Sequence, residues 1–116
     1  MKVDNESMIK IWRKYIQLKE MNKQRAEMYA VKEGKQFLNL CLRKFKVRPE
    51  YWDEFYSYLL LDYFRALDSY TESKQVKIFG WVWRLCSQCA WRFIRDKQKL
   101  IEKERMFVEL IDNTSI

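Results

Sequence analysis

Histidine is missing from the 116 residues, glycine occurs twice and proline once. Without histidine there is no Ser-His-Asp triad, no Cys-His pair and no zinc-enzyme site of the usual kind. An all-β sandwich needs a turn roughly every ten residues, which so little glycine and proline does not furnish; that class is excluded. Three cysteines, an odd number, make no disulfide framework, and free thiols point to a reducing cytoplasm. Long apolar runs are lacking as well. The longest candidate, Tyr56 to Leu61, has six residues where a membrane span needs roughly 18–20, so no membrane partner is expected. The opening MKVDNESMIK holds no apolar stretch of signal-peptide type.

What is present is a basic, aromatic-rich chain. Hydrophobic residues make up 48% and charged residues 34%, the balance of a single globular domain, expected over residues 1–105 with a short tail at 106–116. The net charge of +7 is unevenly placed. Residues 1–49 carry 13 positive and 5 negative charges, and residues 73–105 carry 9 and 3. Between them, residues 50–72 set Arg65 alone against Glu50, Asp53, Glu54, Asp62, Asp68 and Glu72. An acidic block between two basic ones gives the molecule two electrostatic faces suited to two partners.

Four helical segments are predicted, in a compact all-α bundle. The first follows an N-cap at Asp4 or Asn5 and places Met8, Ile11, Trp12, Tyr15 and Ile16 on one side. After an interruption at Met21-Asn22-Lys23, the second carries Ala26, Ala30, Phe37, Leu38, Cys41, Leu42 and Phe45, with Gly34 marking a bend or a tight helix crossing. Pro49 closes it and opens the third, which runs to about Tyr70. Trp52, Tyr56, Leu59, Tyr63, Ala66, Leu67 and Tyr70 form its core stripe, with Leu60, Leu61 and Phe64 outside that stripe. A helix apolar nearly all round must be covered on both sides, by its own core and by a partner. The fourth starts near Val76 or Lys77 and extends to about Glu104, with Phe79, Val82, Cys86, Ala90 and Phe93 inward. Asp112 to Ser115 is expected to fray.

No catalytic constellation emerges, and no enzyme, cofactor or metal site is expected. Cys86-Ser87-Gln88-Cys89 lies within a helical pattern, and the only other thiol is Cys41, so small buried side chains are the expected role. The sharper signal is a second stripe on the fourth segment, Trp81, Arg84, Gln88, Arg92 and Arg95 at i, i+3, i+7, i+11 and i+14. Arginines neutralise phosphates and an aromatic face stacks on a splayed base, a combination suited to single-stranded nucleic acid. The competing reading puts Trp81, Trp83 and Trp91 in the core, with the arginines solubilising the back of the helix.

The run Tyr63-Phe64-Arg65-Ala66-Leu67-Asp68-Ser69-Tyr70, a polar loop containing Glu72-Ser73-Lys74, then Phe79-Gly80-Trp81-Val82-Trp83 and a basic-aromatic helix resembles region two of bacterial sigma factors. The loop spacing is most similar to the reduced late-transcription sigma factors of T-even-like phages, over about residues 50–100. The resemblance implies that the acidic helix packs on the clamp helices of the largest subunit of the RNA polymerase core through Asp53, Glu54, Ser57, Tyr58, Leu60, Leu61 and Phe64. It implies further that the following helix captures opened promoter DNA at a −10-like element through Lys77, Trp81, Arg84, Leu85, Gln88, Arg92 and Arg95. The family's adjacent tryptophan pair falls here on Leu85 and Cys86, and too little chain follows for a −35-reading domain. Reliance on a short AT-rich element and on a co-activator is therefore implied, in a bacterial host cytoplasm if the chain is phage-encoded. The expected function is a sigma-like transcription initiation factor. The alternatives are a helical adaptor or anti-sigma-type protein without DNA contact, and a nonspecific DNA-binding accessory protein.

Overall fold

A computed structural model describes residues 3–114, which form five α-helices and one 3₁₀ turn. Helix α1 (Asn5–Met21) begins at Asp4, whose carboxylate accepts from the Ser7 N–H at 2.9 Å while the Asp4 N–H donates to Ser7 Oγ at 3.2 Å. This capping box satisfies two backbone donors that a helix start leaves open. Asn22 then serves two helix ends at once. Its N–H closes α1 on the Leu18 carbonyl at 2.8 Å, and its side-chain oxygen accepts from the Arg25 N–H to start α2 (Lys23–Glu33).

The second predicted segment is divided. Gly34 separates α2 from α3 (Lys35–Lys44), which makes five helices of the expected four. The cause is steric. Tyr63 donates its hydroxyl to the Ala30 carbonyl at 2.8 Å, and a Cβ on Gly34 would overlap that same hydroxyl and lie 2.6 Å from the Ala30 oxygen. The α2–α3 junction is thus the close helix crossing that a glycine in this position suggested. Phe45 to Arg48 run without helical structure, and the Trp52 indole N–H ties this connection down on the Val47 carbonyl at 2.8 Å. Pro49–Tyr51 form the 3₁₀ turn that leads directly into α4 (Trp52–Ser69).

Helix α4 buries Phe55, Leu59, Tyr63, Ala66 and Leu67. Phe55 therefore belongs to the core, while Trp52 and Tyr56, expected there, are half-buried. A polar connection brings the chain back to α5 (Ile78–Thr114), which runs antiparallel to α4: Trp81 meets Ala66 near one end and Lys97 meets Glu54 near the other. Ile78, Val82, Cys86, Cys89, Ala90 and Phe93 are its buried stripe. Asn5, expected as a possible cap for α1, instead accepts from the Phe79 N–H at 3.2 Å and helps to start α5. Tyr15, Tyr63, Phe37 and Phe55 are the largest fully buried side chains at the centre.

The expected compactness holds for the body only. Helix α5 has 37 residues, about 55 Å of helix. It outruns α4, and every described side chain from Gln98 to Asp112 is exposed. The molecule measures 65 × 27 × 27 Å, and its radius of gyration of 18.4 Å exceeds the ~13 Å of a compact domain of ~100 residues. The chain is helical through Asp112, Asn113 and Thr114, where fraying was expected; Ser115 lies outside the described residues. Among the described residues, no helix is long and apolar enough to cross a membrane.

Candidate interaction surfaces on the α4–α5 hairpin

On α4, Asp53, Ser57, Leu60 and Phe64 recur at i, i+4, i+7 and i+11 and so share one side of the helix, with Glu54 and Leu61 next to them. Asp53, Glu54, Ser57, Tyr58 and Leu61 are exposed, whereas Leu60 and Phe64 are half-buried against the core. Leu61 at 56% and Tyr58 at 51% exposure give this acidic flank an apolar centre. The sequence-derived set on α4 thus falls on two adjoining sides: Asp53, Ser57, Leu60 and Phe64 on one, and Glu54, Tyr58 and Leu61 on the side that faces α5.

The set on α5 is divided. Arg84, Gln88 and Arg95 are exposed on the outer side, and Lys77 is exposed just ahead of the helix. Trp81 is half-buried. Its indole N–H donates to the Ala66 carbonyl at 3.1 Å and to Ser69 Oγ at 3.3 Å, and the Lys74 ammonium sits 4.4 Å from the ring centroid. Leu85 is half-buried beside it, where α5 meets Asp62, Arg65 and Ser69 of α4. Trp81 thus spends its polar group and a ring face on holding the hairpin together.

Arg92 also turns towards α4. Its guanidinium lies 3.3 Å from the Asp62 carboxylate, which Arg65 approaches at 3.4 Å from its other oxygen. Lys97 pairs with Glu54 at 2.8 Å, and this hydrogen bond raises the lysine above its ordinary value. A groove of about 480 Å³ between the helices is lined by Glu54, Tyr58, Leu61, Arg92, Phe93 and Leu100 among others. Acidic and basic residues assigned above to separate partners therefore share this groove.

The most exposed aromatic described on α5 is Trp91, at 74%. It follows Arg84 by seven residues and Gln88 by three and precedes Arg95 by four, which stacks all four on one helical face. Its sequence signal was the same arginine spacing that singled out Trp81. Trp91 lies one residue off the chosen stripe and was grouped with the core tryptophans instead. Trp83 does belong to the core region, half-buried with its ring centroid 4.8 Å from Phe45 and 5.9 Å from Phe79.

The thiols have a packing environment. Cys41, Cys86 and Cys89 are all buried and free. Hydrogen bonding to Cys41, then burial, drives the Cys86 thiol far above its ordinary value; burial and the nearby Asp62 push Cys89 up to about 12. Both remain protonated at neutral pH and offer no thiolate nucleophile. Among the described residues, no three Cys, Asp or Glu side chains gather as a metal would require. Compared with known protein families, curated proteins and solved structures, the chain matches none of them.

Proposed function

We propose that this protein is a sigma-like initiation factor of the bacterial cytoplasm, which docks on the RNA polymerase core through α4 and contacts opened promoter DNA through the outer face of α5. The reading comes from the sequence resemblance over residues 50–100. The single observation that supports it best is the pair of unlike solvent-facing surfaces on adjacent helices. One has Asp53, Glu54, Tyr58 and Leu61; the other has Arg84, Gln88, Trp91 and Arg95. An acidic surface with an apolar centre suits a basic protein groove. Guanidinium groups around an open indole suit phosphates and an unstacked base.

On this reading the DNA contact falls to residues other than those first expected. Trp81 and Arg92 are engaged with α4, so Trp91 takes the stacking role, with Arg84 and Arg95 on the backbone phosphates. Glu54→Lys with Leu61→Ala should abolish capture by bacterial core polymerase while leaving the circular dichroism spectrum intact. Arg84→Ala with Trp91→Ala should spare capture but reduce permanganate reactivity and run-off transcription from an AT-rich promoter. The Asp62–Arg92 and Glu54–Lys97 pairs favour one rival, an adaptor that binds polymerase without DNA. That rival gains if the Arg84/Trp91 variant opens the promoter as well as the parent does.

A further inference from the structure

We infer that the connection between α3 and α4 is a second wall of the single-stranded DNA site. A bound strand crosses α5 at Trp91, with phosphates on Lys46 and Arg48 to one side and on Arg84 and Arg95 to the other. The inference rests on the DNA-contacting half of the reading above. Phe45 to Arg48 carry no helical structure, and Phe45 holds this connection on α5 through Trp83, ring centroids 4.8 Å apart. Further along the helix a cleft of about 140 Å³ separates the two. Lys46, Val47 and Arg48 line it from the connection, and Ile94, Gln98 and Ile101 from α5. Helical spacing then relates the cleft to Trp91. At 3.6 residues per turn, Arg84 and Arg95 lie about 20° and 40° to one side of Trp91, and Gln98 and Ile94 about 20° and 60° to the other. The cleft therefore borders the tryptophan on the flank away from the two arginines.

The charges on this side select the occupant. Lys46 is exposed and holds no ion pair among the described residues. Arg48 meets Glu50 at 3.5 Å, with both side chains largely in solvent, a pairing that water screens and a phosphate can displace. Lys97 also lines the cleft, but its ammonium is engaged by Glu54 at 2.8 Å. No acid lines the cleft. Between Ile78 and Ile101, α5 has a single acid, Asp96, and it lies about 140° round the helix from Trp91, in the groove facing α4. From Arg84 to Gln98, about 21 Å of helix, the outward side is thus cationic on both flanks of an open indole and bears no carboxylate of α5. Cations alone would suit any polyanion. The open ring between them favours a strand whose bases are unstacked, because a duplex buries its base faces in its own stack.

Binding of the full chain to an oligo-dT of roughly ten nucleotides, within the usual reach of one small domain, is followed by fluorescence anisotropy over a salt series. Both side chains to be changed are exposed, so the circular dichroism spectrum should not alter. Lys46→Ala with Arg48→Ala should weaken binding and lower the salt slope by about 1.4, the value for two phosphate contacts on a single strand. Between roughly 50 and 200 mM salt its affinity should then fall about sevenfold less than the parent's. Lys23→Ala with Arg25→Ala removes the same charge from α2 and should keep the parent's slope. A duplex of equal length should bind more weakly than the single strand. If Arg84→Ala with Trp91→Ala binds as the parent does, the DNA reading of the α5 face fails, and this inference with it. If that variant loses affinity while the Lys46/Arg48 variant keeps the parent's slope, the inference alone is overturned. Equal slope losses in the Lys46/Arg48 and Lys23/Arg25 variants, a duplex held as tightly as the single strand, or a parent that does not bind at the lowest salt would overturn it as well.

Discussion

Tyr63 does two things at one atom, and the glycine beside it is the consequence. Its hydroxyl donates to the Ala30 carbonyl at 2.8 Å in a fully buried crossing of α2 and α4. Gly34 has φ −89° and ψ 8°, a conformation open to any residue, so the need for glycine there is for space. Gly34→Ala should cost about 1–3 kcal/mol in urea denaturation through overpacking. Tyr63→Phe removes the overlapping oxygen at the loss of one hydrogen bond, about 1 kcal/mol by itself. The double variant should lose less than the sum of the two, and simple additivity would sink the steric explanation. The buried acids make a second residue-level prediction. Burial raises Tyr63 above its ordinary 10.0, and burial with the Asp68 hydrogen bond does the same to Tyr15; Cys86 and Cys89 lie above their ordinary 9.0. Below 9.0 the folded and unfolded chains both keep these protons. As pH rises through 9.0 and then 10.0, the unfolded chain releases protons that the folded chain retains, so stability falls. Urea midpoints should therefore decline progressively above pH 9, whereas a midpoint that holds constant to about pH 11 would contradict the burial of these four groups.

At the scale of the element, the sequence made legible what has a local cause. Asp4 with Ser7 three residues on is a capping signal, and it caps. Asn22 marks the break it appears to mark, and Pro49 opens the turn that leads into α4, whereas α3, which Pro49 was expected to close, already ends at Lys44. The all-helical class, the acidic flank of α4 and the buried stripe around Val82, Cys86, Ala90 and Phe93 follow from composition and from a 3.6-residue period. What escaped reading depends on neighbours. Phe55 or Trp52 could each fill the first core position of α4, and only the packing of Phe93 against Phe55, with centroids 5.3 Å apart, decides it. Trp81 and Trp91 lie on adjoining sides of one basic helix. The antiparallel return of α5 along α4 gives Trp81 the Ala66 carbonyl and leaves Trp91 in solvent. The same return joins Arg92 to Asp62, so a charge assigned to a partner is largely answered within the chain. No period along one helix reveals which of its sides a second helix will cover.

The whole molecule is a body with a projecting helix, and its two parts have different sources of stability. From Ile78 to Phe93 the buried side chains of α5 lock into the aromatic centre, and their amides open only with the fold. Past Ile101 the side chains described, to Asp112, are all exposed and include surface pairs such as Arg105–Glu109. An isolated helical stretch of little over a dozen residues is marginal in water. Hydrogen exchange at sub-micromolar protein should accordingly find the amides of Lys103 to Glu109 nearly unprotected while those of Val82 to Phe93 exchange at the global rate.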